Sequence, residues 1–143
     1  MKLPRLLLAT AIVAGGVCAA LAIADELTPP VKELDKLTPR PDAFEASTWK
    51  EPLVLRSAKD AGEHFPEEEA GRLSKQVDFA RQLVLVFVWR GSGQDRLDCR
   101  VAESYPEQVF FSCRAGRTRD MREHVRVYAL RADVKWTVLT GQE

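Results

Sequence analysis

The sequence predicts an α+β fold with a mainly antiparallel, curled sheet of five or six strands and one or two N-terminal helices. Two observations support this class. Helix signals occur only before residue 78, and short runs of β-forming residues joined by turn signals follow from there to the end of the chain. With 143 residues, the chain has room for a single domain.

The helices are predicted from their start signals. Residues 53–56 predict a first strand, and Ser57 followed by Asp60 resembles a capping box that begins a helix. Pro66 can begin a second helix, since its missing N–H costs nothing in a first turn. The three glutamates of residues 67–69 then lie where the helix dipole favours them. This acidic triplet is therefore interpreted as a solvated helix start rather than a metal or catalytic cluster.

The later strands are predicted from apolar patterns. Residues 83–89 are seven apolar residues rich in β-formers, which indicates a strand covered on both faces. Residues 124–130 and 134–139 predict a hairpin across a turn at 131–133. That hairpin would place Tyr128 against Trp136 as an aromatic cross-strand pair.

A second pair of alternating segments, residues 97–101 and 109–113, predicts a hairpin around a loop at 104–108. This register places Cys99 directly opposite Cys113 on one face of the sheet. In an oxidising compartment such a pair predicts a cross-strand disulfide. Two buried, unpaired thiols are the alternative.

Residues 1–24 are predicted to be a signal peptide. Lys2 and Arg5 form a basic start, the 19 residues that follow carry no charge, and small side chains at positions 22 and 24 suit a signal peptidase. A retained membrane anchor is the alternative, because 19 uncharged residues can span a bilayer, although seven of them are alanine. The protein is therefore expected to be exported to the periplasm or beyond, with membrane contact only if the leader is retained.

Cleavage of this leader would give a mature chain that begins at Asp25. Residues 25–47 carry four prolines among charged residues, which predicts an extended tether, and residues 48–143 are predicted to form the globular domain. Because two of the 21 basic residues lie in the leader, the mature part has 19 basic residues against 21 acidic ones, a net charge of −2. A chain this close to neutral is not expected to bind nucleic acid through bulk electrostatics.

No catalytic, cofactor or metal motif emerges from the sequence. The two histidines lie sixty residues apart, so no zinc-binding spacing occurs. The polar loop after the long apolar strand is nevertheless a candidate site, with Gly91, Ser92, Gly93 and Asp95. Its Gly-x-Gly step is interpreted as a tight turn, since no helix follows that could bind a dinucleotide. Ser92 lacks the G-x-S-x-G context of a nucleophile elbow.

Arginine is the feature that stands out. Between residues 114 and 131 there are six arginines, no lysine and two acids, which gives a net charge of +4 in 18 residues. The planar guanidinium suits bidentate binding of carboxylate or phosphate. Residues 115–123 are predicted to be a long connection that presents these groups, and the candidate binding residues are Arg117, Arg119, Arg122, His124 and Arg126. The alternative is that the arginines pair with the glutamate-rich helix start, Asp95 and Asp98.

These observations favour an exported, non-enzymatic binding or accessory domain. Its partner would be another exported protein or an anionic surface, held through the arginine-rich loop, and the oligomeric state is not indicated. The alternative is a small secreted hydrolase or lyase that uses His124 and Asp120 with nearby arginines. An enzyme would need a concave site where these groups converge.

The run from Val77 to Phe87 (VDFARQLVLVF), followed by a glycine-containing loop at 91–93, resembles the PrcB-type domain. In that family such a segment opens a small sheet, and members are linked to stabilising a protease complex. This chain departs from the family at residues 93–96, where Gly-Gly-Tyr is usual. The resemblance implies a domain that acts by binding, with no catalytic residue to transfer. The chain also resembles uncharacterised exported proteins of environmental bacteria, which implies an exported location.

Overall fold

Three helices and seven strands make up residues 28–141, the part of the chain that the computed structural model describes. The strands are β1 (Val31–Leu34), β2 (Leu53–Leu55), β3 (Gln82–Ser92), β4 (Arg96–Ala102), β5 (Gln108–Arg114), β6 (Met121–Arg131) and β7 (Lys135–Leu139). The helices are α1 (Ala43–Ala46), α2 (Ala58–His64) and α3 (Glu67–Gln76). The predicted leader, residues 1–24, lies outside the described residues. None of the helices within 28–141 is long and apolar enough to cross a membrane.

The strands form two sheets rather than one. The large sheet has the order β1-β6-β3-β2 and is antiparallel throughout. The small sheet has the order β4-β5-β7, in which β5 and β7 run parallel. The predicted α+β class with mainly antiparallel pairing is confirmed, and the strands number seven in two sheets instead of five or six in one.

Strand β3 lies at the centre of the molecule. All residues from Leu83 to Trp89 are buried, which confirms the prediction of a strand covered on both faces. Its even-numbered side chains pack against the helices, and its odd-numbered side chains pack against the small sheet. The Phe111 ring of the small sheet lies 4.8 Å from that of Phe87 and 5.0 Å from that of Tyr128, so aromatic contacts join the two sheets.

The two predicted helices, α2 and α3, begin where the sequence predicts, and α1 is a third helix that was not predicted. The Ser57 hydroxyl accepts a hydrogen bond from the Asp60 N–H at 3.2 Å, and the Asp60 carboxylate accepts one from the Arg56 N–H at 2.9 Å. The second predicted helix follows Pro66, and its Leu73 is fully buried against the large sheet. Both helices therefore form the third layer, on the face of the large sheet opposite the small sheet.

The predicted tether over residues 25–47 is corrected from Val31 onward. Residues 31–34 pair with β6 as an edge strand of the large sheet. Leu34, Leu37 and Ala43 are buried in the helix-side core. The prolines of this segment suggested a tether, but they do not exclude it from the fold. Its few apolar side chains lie between the prolines and reach the core.

The predicted hairpin of residues 124–130 and 134–139 is wrong. Strand β6 lies between β1 and β3 in the large sheet, whereas β7 pairs with β5 in the small sheet. Tyr128 is opposite Leu85 and Glu33 rather than Trp136. The apolar β3 needs a partner along its whole length, and β6, with eleven residues, supplies it. The turn after β6 therefore carries the chain from one sheet to the other.

The predicted β4–β5 hairpin is confirmed, but its register is wrong. Cys99 lies opposite Phe111, and Cys113 lies opposite Leu97, so the two cysteines are not directly opposite each other. The turn begins one residue earlier than predicted, since Gln108 already pairs with Ala102 as part of β5. Both cysteines are free in the structure, and the disulfide prediction loses the pairing on which it was based.

The structure predicts that Cys99 and Cys113 react slowly with thiol reagents in the folded protein. Burial raises the pKa of Cys99 and of Cys113 from 9.0 to about 11. Because the thiolate is the nucleophile, a thiol reagent at pH 8 should modify the folded protein about 100-fold more slowly than the denatured chain. The measurement is a labelling time course of the chain that begins at Asp25, with and without denaturant. It should show two thiols per chain in both cases, since Cys18 lies in the predicted leader. A denatured chain without reactive thiols would instead support the disulfide.

Candidate anion-binding site

The structure brings the predicted glycine loop and the predicted arginine segment together at one end of the large sheet. The turn between β3 and β4 occupies residues 93–95, and the chain from β5 to β6 runs along it as residues 115–120. Strand β6 begins at Met121, opposite Ser92. The predicted connection over 115–123 is therefore shorter than expected, and Arg122 lies within a strand.

Alternate residues attach segment 115–120 to the turn. The Gly116 N–H donates to the Asp95 carboxylate at 2.7 Å. The Thr118 N–H donates to the Ser92 hydroxyl at 3.2 Å, and the two hydroxyl groups lie 2.5 Å apart. These hydrogen bonds hold the arginine-bearing segment in one conformation rather than leaving it as a free loop.

Asp120 is the third attachment point. Its carboxylate accepts a hydrogen bond from the Gly93 N–H at 3.1 Å and one from the Arg122 Nε at 2.7 Å. Hydrogen bonds from the Thr118 hydroxyl and the Gly93 N–H, together with the Arg122 charge, lower the pKa of Asp120 to about 2. The carboxylate is therefore ionised at neutral pH and keeps all of these contacts.

Three glycines allow the segment to lie this close to the turn. A Cβ on Gly116 would come within 2.5 Å of the Ser92 hydroxyl and 2.7 Å of the Gln94 carbonyl carbon. Cβ atoms on Gly91 and Gly93 would collide with carboxylates. No glycine among residues 28–141 has a positive φ. The interpretation of the Gly-x-Gly step as a tight turn is confirmed at Gly93, which follows Ser92 in a turn closed by the Asp95 N–H donating to the Ser92 carbonyl at 2.9 Å. Gly91 lies in β3 and serves close approach instead.

Arg117 and Arg119 occupy the positions between the attached residues. Both side chains are exposed, and neither forms an ion pair or hydrogen bond with any residue of the described part. Their Cα atoms can be at most about 7 Å apart, since they are two residues apart along the chain. The fold therefore presents two unpaired guanidinium groups from positions two residues apart, of which Arg117 lines a depression described below.

The other predicted arginines have acidic partners. Arg114 binds Asp98 through two hydrogen bonds of 2.6 and 3.3 Å, which confirms one of the predicted pairs. The prediction that Asp95 pairs with an arginine is wrong, since its oxygens accept N–H groups of Trp89 and Gly116. Within residues 28–141 the glutamate-rich helix start is likewise not a partner of these arginines, and its Glu69 pairs with Arg72 instead. The remaining pairs are Arg122 with Asp120, Arg126 with Glu33, and Arg131 with Glu107 and Asp133.

A depression of about 320 Å³ gathers three arginines that belong to different elements. Arg96 begins β4, Arg114 ends β5, and Arg117 lies on the connecting segment. Arg96 and Arg114 are directly opposite in the small sheet, where like charges are destabilising. Arg96 has no acidic partner among the described residues. An anion placed between these groups would relieve their mutual repulsion.

A second depression of about 520 Å³ adjoins the first and shares Gln94 and Arg96 with it. It is also lined by Asp95, His124 and Arg126. We call the two depressions together the arginine groove. Sequence reasoning missed Arg96, because it lies outside the arginine-rich stretch and reaches the groove only through the pairing of β4 with β5.

His124 occupies a fixed position in this groove. Its ring stacks on Trp89 with a centroid distance of 4.8 Å, and its Nε2 lies 2.8 Å from the Ser92 carbonyl oxygen. Because a carbonyl oxygen only accepts, Nε2 is the donor. His124 and Asp95 line one open depression, as a hydrolase or lyase would require, yet no hydrogen bond joins His124 to Asp95 or to Asp120 in the described structure.

Residues 28–141 contain no group of three or more His, Cys, Asp or Glu side chains that could hold a metal ion. Comparisons with protein-family models, curated proteins and solved structures give no match. The function is therefore argued from the arginine groove itself, whose guanidinium groups are suited to carboxylate and phosphate oxygens.

Proposed function

We propose that this protein is an exported, non-enzymatic binding domain that holds an acidic protein or another polyanion in the arginine groove. One observation carries the proposal. Arg117, which lines the groove, and Arg119, two residues further along the chain, are exposed and unpaired within the described structure, on a segment that hydrogen bonds hold in place. A segment that is already ordered loses little conformational entropy on binding, so its charges are available at low cost.

The attraction is local rather than global. The mature chain carries a net charge of −2, so the protein as a whole does not attract anions. Within the groove, Arg96 and Arg117 have no acidic partner among residues 28–141, and Arg114 has one, the carboxylate of Asp98. The groove should therefore discriminate by shape and spacing, and its affinity should fall as salt screens the exposed charges.

The resemblance to the PrcB-type domain supports the same kind of role. That family is linked to stabilising a protease complex, which implies binding to another protein rather than chemistry on a substrate. The predicted leader supports a partner that is also exported. Compartment and partner class together make an acidic exported protein our first choice within the proposed function.

The proposal is tested by replacing Arg117 and Arg119 with alanine and measuring binding to heparin as a model polyanion at several salt concentrations. Two fewer ionic contacts should weaken binding and reduce the slope of log Kd against log salt by roughly 2. The melting temperature should stay close to wild type, because neither side chain has a partner in the described structure.

Arg40 and Arg56 provide the matched control. Both are exposed arginines beside α2 without a side-chain partner among the described residues, so their double alanine variant removes the same charge elsewhere. It should keep the wild-type affinity. An equal loss in both variants would show that overall charge determines binding. Unchanged affinity with a lower melting temperature in the Arg117/Arg119 variant would assign these arginines to the fold and overturn the proposal.

A further inference from the structure

The edge of β6 next to the arginine groove is open. Strand β1 covers β6 only from Val127 to Leu130. Beyond Leu34 the chain turns away at Lys36, which has a φ of 60°, and Leu37 is buried in the helix-side core. Residues 121–126 thus pair with β3 on one side and with no strand of the described structure on the other.

The backbone of this open half is oriented for pairing. The Arg131 N–H points to the β1 side, where it donates to the Pro30 carbonyl at 3.2 Å. Because the direction of the backbone groups alternates along a strand, the other odd-numbered residues of β6 point to the same side. In this open half of β6, the N–H and C=O groups of Met121, Glu123 and Val125 therefore have no hydrogen-bond partner among residues 28–141.

The two faces of the open half differ in character. Even-numbered β6 side chains lie on the small-sheet side, where Tyr128 and Leu130 are buried, so Arg122, His124 and Arg126 form a basic row there. On the helix side, Met121 is 75% exposed and Val125 packs at the margin of the core.

The acids near this row leave most of its donors free. Arg122 binds Asp120, and Arg126 binds Glu33 at 3.0 Å. Each of these hydrogen bonds uses one of the five N–H donors of a guanidinium group. Glu123 on the other face is offset by Arg90 at 3.2 Å. Both arginine side chains are at least half exposed, so an added carboxylate can reach them.

From these observations we infer that the partner binds by adding an extended strand to β6 at residues 121–125, and that this strand alternates acidic and apolar residues. Its acidic side chains would lie beside Arg122 and His124, and its apolar side chains would lie beside Met121 and Val125. Main-chain hydrogen bonds then supply affinity, and the alternation supplies specificity. The inference rests on the proposed function and assigns the chemistry and conformation of its partner.

The test is residue-resolved amide hydrogen exchange of the purified exported protein with an eight-residue peptide of alternating Glu and Val. The amides of Met121, Glu123 and Val125 should exchange at least about tenfold more slowly when the peptide is bound. The amides of Arg122, His124 and Arg126 point to β3, so they should be protected with or without peptide, which makes them an internal control.

A second peptide with four Glu followed by four Val has the same composition without the alternation, and heparin serves as a polyanion without a peptide backbone. Equal protection by the block peptide would overturn the assigned pattern. Binding of the alternating peptide without protection of the three amides, or no binding of it while heparin still binds through Arg117 and Arg119, would overturn strand addition and leave the proposed function standing. If neither probe binds, both proposals fail.

Discussion

Replacing Phe111 with alanine should lower the free energy of unfolding by about 3–5 kcal/mol. Phe111 is fully buried on the inner face of β5. Its ring lies 4.8 Å from that of Phe87 and 5.0 Å from that of Tyr128, so it is the aromatic contact between the small sheet and the large sheet. A domain of this size is stable by only about 5–15 kcal/mol, so this loss should shift the urea midpoint strongly.

The neighbouring Phe110 is the matched control. It has the same size but lies on the outer face of β5, partly exposed, with the Arg100 guanidinium above its ring. Its replacement with alanine should cost about 1 kcal/mol. Equal losses from the two substitutions, measured by urea unfolding, would show that the small sheet does not pack on the large sheet through the Phe111 face.

Replacing Gly116 with alanine should move the arginine segment and weaken polyanion binding together with stability. The new Cβ would meet the backbone of Gln94 at 2.7 Å, and backbone cannot move aside as a flexible side chain can. Overpacking of this kind costs about 1–3 kcal/mol. Because Gly116 also donates to Asp95, displacement should break the hydrogen bond that fixes Arg117 in the groove. Heparin affinity and the melting temperature should therefore both fall.

Gly71 makes this substitution interpretable. It lies inside α3, where a Cβ would meet nothing within 4 Å, and alanine is the better helix former by about 0.5–1 kcal/mol. The Gly71→Ala variant should be slightly more stable than wild type and bind heparin normally. A Gly116→Ala variant that bound as wild type would mean that the groove does not depend on the position of segment 115–120.

The elements of the fold were largely predictable because their signals are local. The cap at Ser57, the start after Pro66 and the apolar run of β3 each depend on neighbours in sequence. The β4–β5 register could not be obtained in this way. A shift that pairs Cys99 with Phe111 instead of Cys113 leaves every side chain on the same face, so alternation fits both registers equally.

The site, too, has residues that the sequence could indicate and residues that depend on strand pairing. Composition alone pointed to Arg117 and Arg119, and the predicted loop at Gly91 and Gly93 is the structure against which they are held. Arg96 could not be predicted, since its place opposite Arg114 follows from the true register. The assignment of β6 and β7 to different sheets also depends on contacts between distant segments, and the open β6 edge follows from that assignment.

The arginine segment leaves β5 of the small sheet and enters β6 of the large sheet, and the groove beside it has walls from both. The groove therefore exists as a binding site only while the two sheets are packed together. The binding free energy of a ligand adds to that of folding, by an amount that grows with the logarithm of the ligand concentration above Kd. A partner bound there as proposed would therefore protect the domain from unfolding and from proteolysis of the unfolded chain.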